Sequence, residues 1–132
     1  MKAVVVVLSS ILLTACTSTP SAPSGPVDAR VVLAPGASAD VTQAGIQIRF
    51  QSVLNDSRCP GDATCIQAGD AVIRIDVTRN GQSQTTFDLR VNNKQPAQYS
   101  GLTVTLEELS PYPFASRPTA PGDYRATIRV TR

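Results

Sequence analysis

The residues able to do chemistry are few, and their types limit what the chain can do. There is no histidine, which removes the usual general base and the commonest transition-metal ligand. A Ser-His-Asp triad cannot be assembled from one chain. A Ser-Lys pair would need Lys94, which lies in Asn92-Asn93-Lys94-Gln95-Pro96, a stretch that reads as an exposed loop. Glu107 and Glu108 are neighbours in an alternating run, so as strand residues they are expected on opposite faces, unable to act as a paired acid and base. No glycine-rich phosphate loop is present. The composition therefore predicts a protein that is not an enzyme and that holds no cofactor and no metal.

What remains is a short polar segment around two cysteines. Cys59 and Cys65 enclose Pro60-Gly61-Asp62-Ala63-Thr64, and Asp56 and Arg58 stand just before them. The spacing is not Cys-x-x-Cys and suggests a structural disulfide, which in a loop this short contributes about 2 kcal/mol. Asp56, Arg58 and Asp62 form the candidate binding loop. Recognition would centre on Arg58, the bland alternative being an ion pair with Asp56 or Asp62 that only orders the loop. Asn55, Asp56, Asp62 and Asp70 have enough oxygens for calcium, but their spacing matches no known calcium loop.

The elements that must position these residues show period-two alternation. Ile46, Ile48 and Phe50 alternate with Gln47, Arg49 and Gln51. Ala71, Ile73, Ile75 and Val77 form a second run; Phe87, Leu89 and Val91 a third; Leu102, Val104 and Leu106 a fourth. Tyr124, Ala126, Ile128 and Val130 make the last. A weaker first strand holds Ala29, Val31 and Leu33, and a short one Ala39 and Val41. Asn80-Gly81 predicts a type I′ hairpin. Pro35-Gly36, Ala44-Gly45, Ser100-Gly101 and Pro121-Gly122 mark further turns. The phase slips at Val53-Leu54 and again at Leu109, as β-bulges or strand ends would make it. About seven one-faced strands need a second sheet to cover them. The expected fold is all-β, an antiparallel β-sandwich of immunoglobulin-like size over residues 27–132, with a small barrel as the alternative. Tyr124 reads as a core tyrosine or one tied by its hydroxyl to a nearby turn.

The first residues concern location. Lys2, the apolar run Ala3 to Leu13 and Thr14-Ala15-Cys16 form a secretory pattern, too short for the roughly 20 apolar residues of a membrane-crossing helix. Leu13-Thr14-Ala15-Cys16 resembles the lipobox of bacterial lipoproteins. That resemblance implies a signal peptide over residues 1–15, cleavage before Cys16 and acylation of its thiol, often with a second acylation of the new amino group. Two or more acyl chains anchor a protein stably without spanning the membrane. Thr17 stands where inner-membrane retention usually shows Asp, which favours the outer membrane of a Gram-negative envelope. Residues 16–26 carry the lipid and a Ser/Thr/Pro tether. With Cys16 given to lipid, the odd cysteine count resolves into one pair, Cys59 and Cys65, in a compartment where disulfides persist. Charges alternate in sign without a basic cluster, which argues against a nucleic-acid partner.

Asp56-Ser57-Arg58-Cys59-Pro60, followed by Cys65-Ile66-Gln67-Ala68-Gly69, resembles the signature of a widespread family of uncharacterised bacterial exported proteins. Those proteins carry Asp-Ser-Arg-Cys-Pro, a spacer, then Cys, an apolar residue, often Trp, and Ala-Gly. Gln67 stands where Trp is common. Leu109-Ser110-Pro111-Tyr112-Pro113 and the closing strand after Tyr124 are also similar. The resemblance implies a fold and an exported location but no activity. The functional expectation is a non-catalytic, membrane-anchored envelope lipoprotein that binds another envelope protein or supports an assembly. Two alternatives stand beside it: an inhibitor of extracytoplasmic proteases presenting Arg58-Cys59-Pro60, and a module for a small ligand or cation.

Overall fold

The computed structural model describes residues 25–132. The expected signal peptide, the acylated Cys16 and the tether up to Ser24 lie outside the described residues.

Among the described residues, eight strands form two four-stranded antiparallel sheets. They are β1 (Asp28–Leu33), β2 (Ser38–Val41), β3 (Ile46–Asp56), β4 (Ala71–Arg79), β5 (Thr85–Arg90), β6 (Ala97–Tyr99), β7 (Leu102–Ser110) and β8 (Arg125–Thr131). The first sheet has the order β1-β8-β7-β6 and the second β2-β3-β4-β5. The sheets share no hydrogen-bonded strand pair, so the fold is a sandwich and not a closed barrel. The three-residue β6 has no counterpart among the expected strands: its burial alternates, but the run is too short to read as a strand.

Alternation decides which residues meet between the sheets. Val104, Leu106, Leu109, Ile128 and Val130 of the first sheet and Ile48, Phe50, Ile73, Ile75, Val77 and Leu89 of the second are all buried. Each fully buried aliphatic side chain contributes roughly 1.5–3 kcal/mol of transfer free energy. Phe87 and Tyr99 meet edge to face, centroids 6.3 Å apart, across the side where β5 faces β6. The outward residues carry exposed ion pairs, Arg30 with Glu107, Arg129 with Asp28, and Arg74 with Asp88. Such pairs are worth little in water.

Both phase slips are bulges. The β3–β4 register shifts between Phe50 and Ser52 and between Val53 and Asn55; the β7–β8 register shifts between Leu106 and Glu108. The second shift corrects the expectation for Glu107 and Glu108. With Leu106 and Leu109 both buried, the extra residue leaves the two glutamates together on the outer side.

The turn chemistry is also partly redistributed. Asn80-Gly81 does not make a two-residue type I′ hairpin. Gln82 N–H donates to the Arg79 carbonyl at 2.9 Å with Gly81 alone at positive φ (+78°), as at the third place of a type II turn, and β5 starts only at Thr85. The two-residue hairpin with both central residues at positive φ is Ser100-Gly101 (+49° and +75°), which joins the paired Tyr99 and Leu102.

Candidate functional site

β3 ends at Asp56 and β4 begins at Ala71, and the fourteen residues between are held by a specific set of bonds. The base is closed first: Ser57 N–H donates to the Asp70 carbonyl at 2.7 Å, and Cys59 N–H to the Ala68 carbonyl at 2.9 Å. The two arms approach so closely at Gly69 (φ +65°) that a Cβ there would stand 1.7 Å from the Ser57 carbonyl oxygen. Only glycine meets both demands. Beyond this base Cys59 and Cys65 form a disulfide, their Cα atoms 5.9 Å apart.

Arg58 turns inward from the loop. Its Nε and Nη2 donate to the two oxygens of Asp56, at 2.8 and 2.7 Å. Nη1 donates to the Leu109 carbonyl at 2.6 Å and Nη2 also to the Pro111 carbonyl at 3.1 Å. The Tyr112 ring lies over the guanidinium, 5.4 Å from its carbon. Both partners of the ion pair are enclosed, with 4% of the arginine side chain and 8% of the aspartate side chain exposed. Burial works to raise the Asp56 carboxyl, but the hydrogen bonds and charge of Arg58 outweigh it and leave it below its ordinary value. The Tyr124 hydroxyl donates to Asp56 Oδ2 at 3.1 Å, and burial followed by the nearby carboxylate pushes that phenol up.

These contacts correct the sequence reading at two points. Arg58, expected at the centre of the loop's surface, is enclosed by these contacts and not presented at that surface. Of the three residues named for the loop, Asp56 and Arg58 pair, whereas Asp62 stands apart from them. Asp62 accepts the N–H groups of Ala115 and Ser116, at 2.6 and 2.9 Å, on the adjoining loop. The Ser116 hydroxyl and these N–H groups hold its carboxyl down to about 2. The ion pair with Asp56 is thus the ordering interaction of the bland alternative, extended by Leu109, Pro111 and Tyr112. Tyr124 precedes β8, packs half-buried against the core and ties its hydroxyl to Asp56 at the end of β3.

The oxygens considered for calcium are engaged separately. Asp70 accepts the N–H groups of Ala71, Asn92 and Asn93, and these outweigh the burial that would raise its carboxyl. Among the described residues, no three His, Cys, Asp or Glu side chains converge as a metal would need.

The second loop, residues 111–124, rises from the ends of β7 and β8 beside the first. Gly61 N–H donates to the Pro113 carbonyl at 2.9 Å, and Gly61 sits so near the Phe114 ring that a Cβ would come within 3.0 Å of Cε1. The Arg117 guanidinium lies over the same ring at 5.9 Å. A shallow cleft of about 280 Å³ runs between the loops and β7, lined by Cys59, Ala68, Glu108, Leu109 and Tyr112 among others. Three large apolar residues stand exposed on this end: Ile66 at 104%, Tyr112 at 54% and Phe114 at 39%. Sequence reasoning missed them as a group because they belong to two loops about fifty residues apart. The signal available was the proline-flanked aromatics of Pro111-Tyr112-Pro113-Phe114.

Comparison with known proteins gives no assignment: no family model, no curated protein and no solved structure matches the chain.

Proposed function

We propose that this chain is a cell-envelope lipoprotein, anchored through an acylated Cys16, whose folded domain binds another envelope protein and catalyses nothing. One observation carries the reading. The segment that leads from Cys16 joins the domain at Val27, beside the end of β8, where Arg132 N–H donates to the Val27 carbonyl at 3.0 Å. The braced loops 57–70 and 111–124 stand at the opposite end of the sandwich, past Asp56, Ala71, Ser110 and Arg125. A tether at one end therefore presents a rigid two-loop surface at the other. Rigid loops bind well because little ordering entropy is left to lose. The ion pair, the disulfide and Gly69 give the Asp-Ser-Arg-Cys-Pro and Ala-Gly signature a structural role, which supports a scaffold for recognition over a reaction centre.

The test is metabolic labelling with a palmitate analogue and membrane fractionation of the wild-type chain and Cys16→Ser, with reversible cross-linking of the same cells. The expected result is label and membrane association in the wild type, both absent in Cys16→Ser, with one envelope protein cross-linked. An unlabelled wild-type chain in the soluble fraction would remove the anchor from the proposal. Substrate turnover by the purified chain would remove its non-catalytic part.

A further inference from the structure

Asn80-Gly81 closes no two-residue hairpin, and the fold leaves its reactive groups open. Both residues are exposed, and among the described residues neither the Asn80 side-chain amide nor the Gly81 N–H has a hydrogen-bond partner. Nothing lies within 4 Å of the place a Cβ on Gly81 would take. The loop from here to Thr85 is held by the Gln82 N–H on the Arg79 carbonyl and by a 3.5 Å bond from the Tyr99 hydroxyl to Gln82 Oε1. A segment with so few bonds opens locally at small cost.

An asparagine in this setting is open to attack by the next residue's backbone nitrogen. Gly81 N gives its proton to hydroxide and bonds to Asn80 Cγ, closing a five-membered imide. The Cγ–Nδ2 bond breaks, and the nitrogen takes a proton from water and leaves as ammonia. Water then adds to either imide carbonyl and reopens the ring. The product is an aspartyl residue, or an isoaspartyl residue whose main chain runs through Cβ and Cγ. Glycine favours the attack because no side chain shields its nitrogen and its backbone turns freely. The chain has three other asparagines, and each is held back. Asn55 lies within β3, paired with Val72. Asn92 Nδ2 donates to the Gly69 carbonyl at 2.8 Å, and the N–H that would attack it, that of Asn93, donates to Asp70 at 3.3 Å. Asn93 is followed by Lys94, whose side chain hinders the approach.

We propose that Asn80 is a site of spontaneous deamidation in the folded protein. The reaction puts a carboxylate into the shallow cleft of about 480 Å³ that Asn80 shares with Asp40, Thr42 and Thr78, and its isoaspartyl product lengthens the turn by one methylene. The β4–β5 ladder starts beyond the turn, at Val77 opposite Thr85, so the sandwich persists. In the test, the full chain is incubated in mildly alkaline buffer, folded and in guanidinium, and peptide mass spectrometry follows each asparagine with time. In the folded chain Asn80 should lose its amide at least tenfold faster than Asn55, Asn92 or Asn93, with isoaspartate in excess of aspartate. Its rate should lie within threefold of that in the unfolded chain. A smaller lead over the other asparagines, or a slowing by the fold of more than threefold, would overturn the proposal. Gly81→Ala should slow the loss at least tenfold in folded and unfolded chains alike, a comparison that does not depend on the variant's stability. An unchanged rate in that variant would overturn the route through the Gly81 nitrogen.

Discussion

At the end of the sandwich where β1 begins and β8 finishes, the connections close through near neighbours. Ala44 and Gly45 donate three residues back, Gln82 returns to Arg79, and Ser100-Gly101 turns within two residues. At the opposite end the bonds join distant parts of the chain. Arg58 reaches carbonyls 51 and 53 residues away, Asp62 takes N–H groups 53 and 54 residues on, and Tyr124 donates to Asp56 across 68. The first end can form turn by turn. The second takes shape only when both sheets are in place, and one buried cation then organises most of it.

That contrast is most exposed to failure at Arg58. Arg58→Met leaves a nearly enclosed Asp56 carboxylate without its cation and two carbonyls without donors, and the expected loss is about 3–5 kcal/mol. The denaturant midpoint measures it, and adding Asp56→Asn should restore part of the loss. A change under 1 kcal/mol would show that the far end is held by something else. Gly69→Ala comes next, at about 2–3 kcal/mol, because positive φ and a clash with backbone coincide there. Gly101→Ala probes the near end. It has positive φ but open space around it, so its cost should stay near 1 kcal/mol by the same measurement.

The smallest effect concerns protonation. Because its folded-state pKa is depressed to about 2, whatever Asp62 contributes is present above the ordinary carboxylate range near 4 and fades as pH falls toward 2. Amide shifts of Ala115 and Ser116 should titrate together with a midpoint near pH 2. A midpoint near 4 would mean that the two loops are not joined at this carboxylate.

The same contrast explains what the sequence disclosed. The alternation of Ile46 to Phe50, Ala71 to Val77 and Leu102 to Leu106 is written into residue type, so these core faces were legible, as were the bulges at Val53 and Leu109. The pairing of Cys59 with Cys65 was legible from spacing and count. The turn type at Asn80 was not, because residues there tolerate several loop lengths and the loop runs on to Thr85. The fate of Arg58 was half visible. Its pairing with Asp56, two residues away, is a local matter, whereas the carbonyls of Leu109 and Pro111 that enclose it come from a bulged strand whose position only the folded sheets define. For the same reason Asp62 could be noticed but not assigned its partners.

The first strand of the molecule is hydrogen-bonded to the last, with Asp28 opposite Thr131 and Leu33 opposite Ala126. During synthesis β1 therefore waits for almost the whole domain before its neighbour exists, a non-local closure of the kind that makes folding slow. Until β8 arrives, β1 has no partner and β7 has β6 alone, each with an open edge that invites aberrant pairing. A chain truncated before Arg125 would lose the central joint of its first sheet, and two core-facing strands would be stranded on either side of the gap.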